Sequence, residues 1–197
     1  ILFPLLAIPT LLWVPDSHNK PGVTIPWQEA FKVLLANRLM WRLLIADLAA
    51  GFGLGVSGAL YIFIATAYFE LAEHASIALL FYFVSGFLAM PLWLKLAYAV
   101  GKDNAMKVAL LYMTAINLAL LPLAESGNVA VLWGFTILFG AGFGAPPTLI
   151  RSMMADISDE DELKTGQQRP GLFFALLTTT NKLGAAFAVG ASFTILE

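Results

Sequence analysis

The stretch Gly171-Leu-Phe-Phe-Ala-Leu-Leu-Thr178-Thr-Thr-Asn181-Lys182-Leu-Gly184-Ala-Ala-Phe-Ala-Val-Gly-Ala-Ser-Phe-Thr-Ile-Leu196 is apolar from end to end except for one cation in its middle. A bilayer crossing takes ~20 consecutive apolar residues, so this stretch is long enough to span. Lys182 then lies ~16–18 Å along the helix axis, near the midplane. An ammonium there costs roughly 2.5–3.5 kcal/mol on insertion scales and cannot easily reach either surface. It therefore needs a hydrated cavity or a carboxylate partner. Thr178 precedes it by four residues and Asn181 adjoins it, while Ala175, Ala185 and Ala186 keep the region narrow. A small, polar stripe around one cation reads as the wall of a pathway. The alternative is an ion pair that only fixes helix packing.

Working outward, residues 43–69, 76–98, 105–123 and 129–150 are also long and apolar enough to cross, which predicts five spans. Residues 1–14 are too short and read as the end of a truncated helix. The chain opens at Ile1 inside an apolar run, with no signal-like charged region, and reads as a piece of something longer. Composition agrees. Of 197 residues, 59% are apolar and 12% charged, against about 25% charged in ordinary soluble domains; mean hydropathy is +0.80. Soluble greasy helices would still need a polar face toward water. Disorder is excluded by the apolar content. Nucleic-acid binding is excluded by a net charge of −2 and the lack of a basic stripe. There are no cysteines, and His18 and His74 are too far apart to suggest a metal site.

The cations set the orientation. Lys20, Lys32, Arg38 and Arg42 precede the first full span; Lys95, Lys102 and Lys107 surround the connection between spans two and three; Arg151, Lys164 and Arg169 fall between spans four and five. The intervening connections hold Glu70, Glu73, His74 and Glu125, and no Lys or Arg. By the positive-inside rule the cation-bearing side is cytoplasmic. Residues 15–42 form the longest connection. Its second part, from Trp27 to Arg42, sets Trp27, Phe31, Leu34 and Leu35 against Lys32, Arg38 and Arg42. That pattern suits either an interfacial helix on an anionic leaflet or a simple lead into the next span.

Asp47 is the second charge within a span. Its closeness to Arg42 predicts an interfacial salt bridge, with a part in ion or proton handling as the alternative. Gly51/Gly55 and Gly140/Gly144 have the four-residue spacing that lets helices approach closely. Pro146-Pro147 removes two backbone donors and predicts a bend, as in the discontinuous helices of transporters. The acidic run from Asp156 to Glu162 reads either as a solvated connection or, with Lys164 and Arg169, as ion pairs that close the cytoplasmic side.

Met154-Ala-Asp156-Ile-Ser-Asp159-Glu-Asp-Glu162-Leu-Lys-Thr-Gly166, Arg169, Thr178 and Asn-Lys182-Leu-Gly184 together resemble the glycoside–pentoside–hexuronide:cation symporters, the melibiose-permease-like branch of the major facilitator superfamily. Leu34-Leu-Ala-Asn-Arg38 through Arg42-Leu-Leu resembles their lead into the seventh helix, and Pro91-Leu-Trp93 with Gly101-Lys102 their loop between helices eight and nine. The resemblance implies an all-α membrane protein carrying part of a six-helix C-terminal bundle. Residues 1–14 would end helix six, 15–42 would be the central cytoplasmic loop, and 43–197 would be helices seven to eleven. Helix twelve and the N-terminal bundle would lie elsewhere.

The resemblance further implies a bacterial inner-membrane symporter, not an enzyme. It would have no cofactor and would move a small organic solute with Na⁺ or H⁺ by alternating access. Lys182 and Thr178 would line the path, to which the residues themselves add Asn181 beside Lys182 and the in-span Asp47; Asp156, Asp159, Glu162 and Arg169 would form the cytoplasmic gate. The partners would be solute, cation, lipid and the missing bundle. This sequence departs from the pattern in three places: Glu160 replaces an aromatic, Pro146-Pro147 stands where sugar transporters place a tryptophan, and Pro170 is unusual. A related branch carries lysolipids. Readings from other classes are an intramembrane enzyme, which would need a catalytic pair that the spans do not supply, and a structural membrane module.

Overall fold

The computed structural model describes residues 37–123 and 128–196, together with positions 8, 12, 13 and 28. The readings of residues 1–14 and of most of 15–42 lie outside that range. Six helices and no strand form the described part. They are α1 (Arg38–Phe63, prolonged by a π turn over Ile64–Tyr68), α2 (Ala72–Val100), α3 (Lys102–Leu123), α4 (Val129–Phe143), α5 (Ala145–Thr165) and α6 (Pro170–Leu196). With α4 and α5 taken end to end, five spans are long and apolar enough to cross a membrane.

Two of the boundaries that differ from the sequence expectation bear on the site. α1 starts at Arg38, where the Asn37 side chain accepts the Met40 amide at 3.1 Å and satisfies one orphan donor of the first turn. Residues 38–42 therefore belong to the spanning helix and not to a separate surface segment. Likewise, the acidic run is no loop: α5 continues helically through Asp156–Glu162 to Thr165. It stops where Gly166 takes φ +69°, a left-handed value that glycine adopts without a Cβ clash, and its amide caps the Glu162 carbonyl at 2.8 Å.

The expected bend is present. α4 ends at Phe143 and α5 begins at Ala145, with Pro146 and Pro147 in the first turn, where missing amides cost nothing. Helices near the break supply side-chain donors to its carbonyls, as a bilayer demands. Trp93 Nε1 donates to Ala141 O at 2.7 Å, Thr148 Oγ1 to Gly144 O at 2.8 Å, and the Tyr112 hydroxyl to Leu138 O at 2.7 Å.

Small residues organise the bundle into two tight pairs, α1 with α6 and α2 with α4. A Cβ added at Gly51 would stand 2.6 Å from the Asn181 carbonyl oxygen, and one at Gly55 would stand 2.7 Å from the Ala188 Cβ. Gly184 of α6 meets the Leu48 carbonyl in return. On the other side, Gly140 packs on Tyr82, and an added Cβ at Gly144 would come 2.5 Å from the Gly86 carbonyl. The four-residue glycine spacing thus serves backbone approach in both pairs. α5 touches α1, α2, α3 and α6 and ties the pairs together.

Candidate functional site: a cationic cleft between α1, α5 and α6

The close approach of α1 and α6 decides where the polar side chains go. Asp47 is buried, 4% exposed. Its Oδ2 accepts the Thr180 hydroxyl at 2.9 Å and its Oδ1 accepts the Asn181 amide at 3.2 Å. The expected salt bridge with Arg42 is absent among the described residues. Five positions along a helix place two side chains about 140° apart, so Arg42 is exposed while Asp47 turns to α6. A carboxylate taken out of water is costly unless it is hydrogen-bonded, and here two neutral donors meet it.

Beside this pair lies a cleft of about 400 Å³. Asp47, Thr178, Asn181 and Lys182, the four pathway residues expected from the sequence, all line it, as do Gly51, Gly55, Pro146 and Pro147. Gly140 and Gly144 are instead committed to the α2–α4 contact. Lys182 is exposed and makes no ion pair among the described residues. The cleft holds one charged residue that the sequence reading did not assign to it, Arg151. The sequence places it in a cation-bearing connection, but the helix continues past Pro147, and Arg151 sits one turn beyond, its Nη1 donating to the Pro147 carbonyl at 3.4 Å. The available signal was the Pro147/Arg151 spacing of four, which puts both on one helix face.

The gate residues separate at the cation-rich end. Arg169, 7% exposed, grips a residue the sequence reading left out, Asp161: Nε donates to Oδ2 at 3.0 Å and Nη2 to Oδ1 at 3.1 Å, a bidentate pair. Nη2 also reaches the Thr165 hydroxyl at 3.1 Å. Asp156 pairs with Lys102 of α3 at 2.6 Å, and Lys102 donates to the Ser152 carbonyl at 3.2 Å. Glu162 accepts from Gln168 at 2.8 Å and forms no ion pair among the described residues. Asp159 is exposed and has no partner there. Two cross-links therefore stand at this end: a buried one from α5 to the start of α6, and a half-exposed one from α3 to α5.

A span broken at paired prolines, two glycine-packed helix pairs and a cleft lined by charged side chains are features of a membrane helix bundle. The chain belongs to the MFS/sugar transport protein family, whose model matches residues 15–197. It is part of an integral, multi-pass membrane protein. It is 28% identical over 185 residues to an uncharacterized symporter of Synechocystis, a match covering 88% of this chain and 32% of that protein. The chain thus spans about a third of the length of that relative. No solved structure matches.

Proposed function

We propose that the whole protein is a secondary active solute:cation symporter working by alternating access, with this chain supplying one wall of its path. The solute is a sugar or a related small organic molecule, and the coupling ion is Na⁺ or H⁺. The observation that carries the reading is Lys182: a cation within a spanning helix that lines a cleft and has no acid against it among the described residues. The cost of such a charge is met by water, by a permeant or by an acid from the other bundle. Thr178, Asn181 and Asp47 form the same wall. The Asp161–Arg169 and Lys102–Asp156 links brace the cytoplasmic end, where their making and breaking gates the path. The family match and the name of the Synechocystis relative support this assignment.

Labelling of Thr178→Cys in the full-length protein, with any cysteine outside these 197 residues replaced, tests it; these residues hold none of their own. A membrane-impermeant thiol reagent should reach the position from both faces of oriented vesicles. The two rates should shift in opposite directions when a Na⁺ or proton gradient is imposed. Labelling from neither face, or from one face at a gradient-independent rate, would contradict alternating access.

A further inference from the structure

Thr178, Thr179 and Thr180 are consecutive on α6, yet their hydroxyls are placed differently. Thr178 and Thr179 each donate to the carbonyl one turn back, that of Phe174 and of Ala175, at 2.8 Å. Thr180 Oγ1 lies within reach of three acceptors: Asp47 Oδ2 at 2.9 Å, the Leu177 carbonyl at 2.9 Å and the Leu176 carbonyl at 3.2 Å. A hydroxyl has one proton to give and lone pairs with which to accept. It can therefore meet Asp47 in either protonation state. Facing the carboxylate, it donates to Oδ2. With a proton on Oδ2, it accepts that proton and turns its own to Leu177 or Leu176. Asn181 donates to Oδ1 at 3.2 Å in both cases. The change strands no buried polar atom, so the site is satisfied both loaded and empty.

We propose that Asp47 is a binding site for the coupling proton, which adds to Oδ2 from water in the cleft and later leaves the same oxygen for water on the other side. This rests on the reading of the cleft as the transport path and names the coupling ion. Asp47 lines the cleft yet is only 4% exposed. Both its oxygens are held by α6 of this same chain, so its setting needs no group from the other bundle. The charged groups that share the cleft with it are Arg151 of α5 and Lys182 of α6, and neither forms an ion pair with it among the described residues. Arg42 of its own helix is exposed. A cation in contact would lock a carboxylate in its charged form, whereas neutral donors leave both forms open. A metal ion suits the place poorly. Hard cations take a shell of oxygen ligands, but Asn181 directs its amide hydrogens at Oδ1, and the backbones touch on either side, Gly51 at the Asn181 carbonyl and Gly184 at the Leu48 carbonyl. A proton adds no volume. The neutral acid is also the form that a closed, dry cleft tolerates, because burying a charge is far costlier than burying a hydrogen-bonded neutral group.

The test is infrared difference spectroscopy on the purified full-length protein in lipid, with pH as the only variable. Acidification should bring up a carboxylic-acid C=O band that is missing in Asp47→Asn, whose amide can donate to Thr180 as the protonated acid would. The band should move to higher frequency in Thr180→Val, where the acid proton has lost its acceptor, and stay in place in Thr179→Val. In the Thr178→Cys labelling experiment a pH gradient should shift the two rates, and Asp47→Asn should abolish that response. Lack of any carboxyl protonation in the unmodified protein across the pH range in which it stays folded overturns the proposal without recourse to a variant. A difference spectrum or a pH response that Asp47→Asn leaves unchanged also overturns it, as does a band that the two threonine variants move alike. Labelling from both faces that follows a Na⁺ gradient and ignores a pH gradient would sink this inference and leave the transport reading standing, whereas labelling from neither face would remove both.

Discussion

Asp47 of α1 accepts the hydroxyl proton of Thr180 of α6 at 2.9 Å, so the two helices that wall the cleft are joined by a buried carboxylate and not by packing alone. Hydrogen bonds to charged groups contribute about 1.5–3 kcal/mol. Thr180→Val keeps the shape and removes the donor. It should destabilise the full-length protein by about that amount, read as a drop in thermal unfolding temperature, whereas Thr179→Val should have far less effect because, among the described residues, Thr179 bonds to the Ala175 carbonyl of its own helix alone.

Glycines within one helix should respond very differently to an added side chain. Gly51→Val places a side chain where even a Cβ would lie 2.6 Å from the Asn181 carbonyl, while nothing stands within 4 Å of a Cβ at Gly53. Overpacking costs about 1–3 kcal/mol. Gly51→Val should therefore lower both stability and transport, and Gly53→Ala should leave them unchanged or raise stability slightly through helix propensity. Thermal unfolding of the two purified variants side by side decides the point.

The two cross-links at the cation-rich end should differ in strength. Asp161→Ala strands Arg169 in a buried position, and breaking a buried pair from one side costs about 3–5 kcal/mol. Lys102–Asp156 has side-chain exposures of 31% and 61% and should contribute no more than about 1 kcal/mol. Asp156→Ala should thus be well tolerated in folding, and raising the salt concentration should weaken its effect further. Chemical denaturation of both variants at low and high salt measures the contrast.

Much of this was legible in the sequence because membrane folding leaves strong one-dimensional marks. Span length, the sidedness of the cations and the proline pair are all properties of contiguous residues. Lys182, Thr178 and Asn181 share one helical neighbourhood, so their convergence on the cleft could be read directly. Relations between helices could not. The partner of Asp47 lies more than a hundred positions away on α6, and the nearer Arg42 drew attention although it points elsewhere. Among five closely spaced acids, only helical phase shows that Asp161 faces inward toward Arg169 while Asp159 faces out, and a charge run of this kind carries no apolar periodicity to set that phase. Gly184 and Ala188, four apart, were a readable sign of the surface that receives Gly51 and Gly55.

The α4–α5 break should depend on its borrowed hydrogen bonds. Trp93→Phe keeps the ring bulk and removes the indole donor to the Ala141 carbonyl at 2.7 Å. In a medium without water to replace it, the loss should cost about 0.5–1.5 kcal/mol. Amide exchange at the residues flanking Gly144, measured by mass spectrometry on the full-length protein, should quicken in the variant and stay unchanged in Trp133→Phe, whose indole nitrogen is buried and has no acceptor among the described residues.

A pathway along α6 requires that water reach the Lys182 amine, and thiol reactivity at two positions of α6 measures this. Lys182→Cys faces the cleft, while Phe187→Cys stands on the same helix with its side chain 63% exposed and outside that lining. In the full-length protein within a bilayer, a charged methanethiosulfonate should modify position 182 readily and position 187 slowly or not at all. If position 182 proves as inert as position 187, the cation sits in a dry environment and the pathway assignment fails.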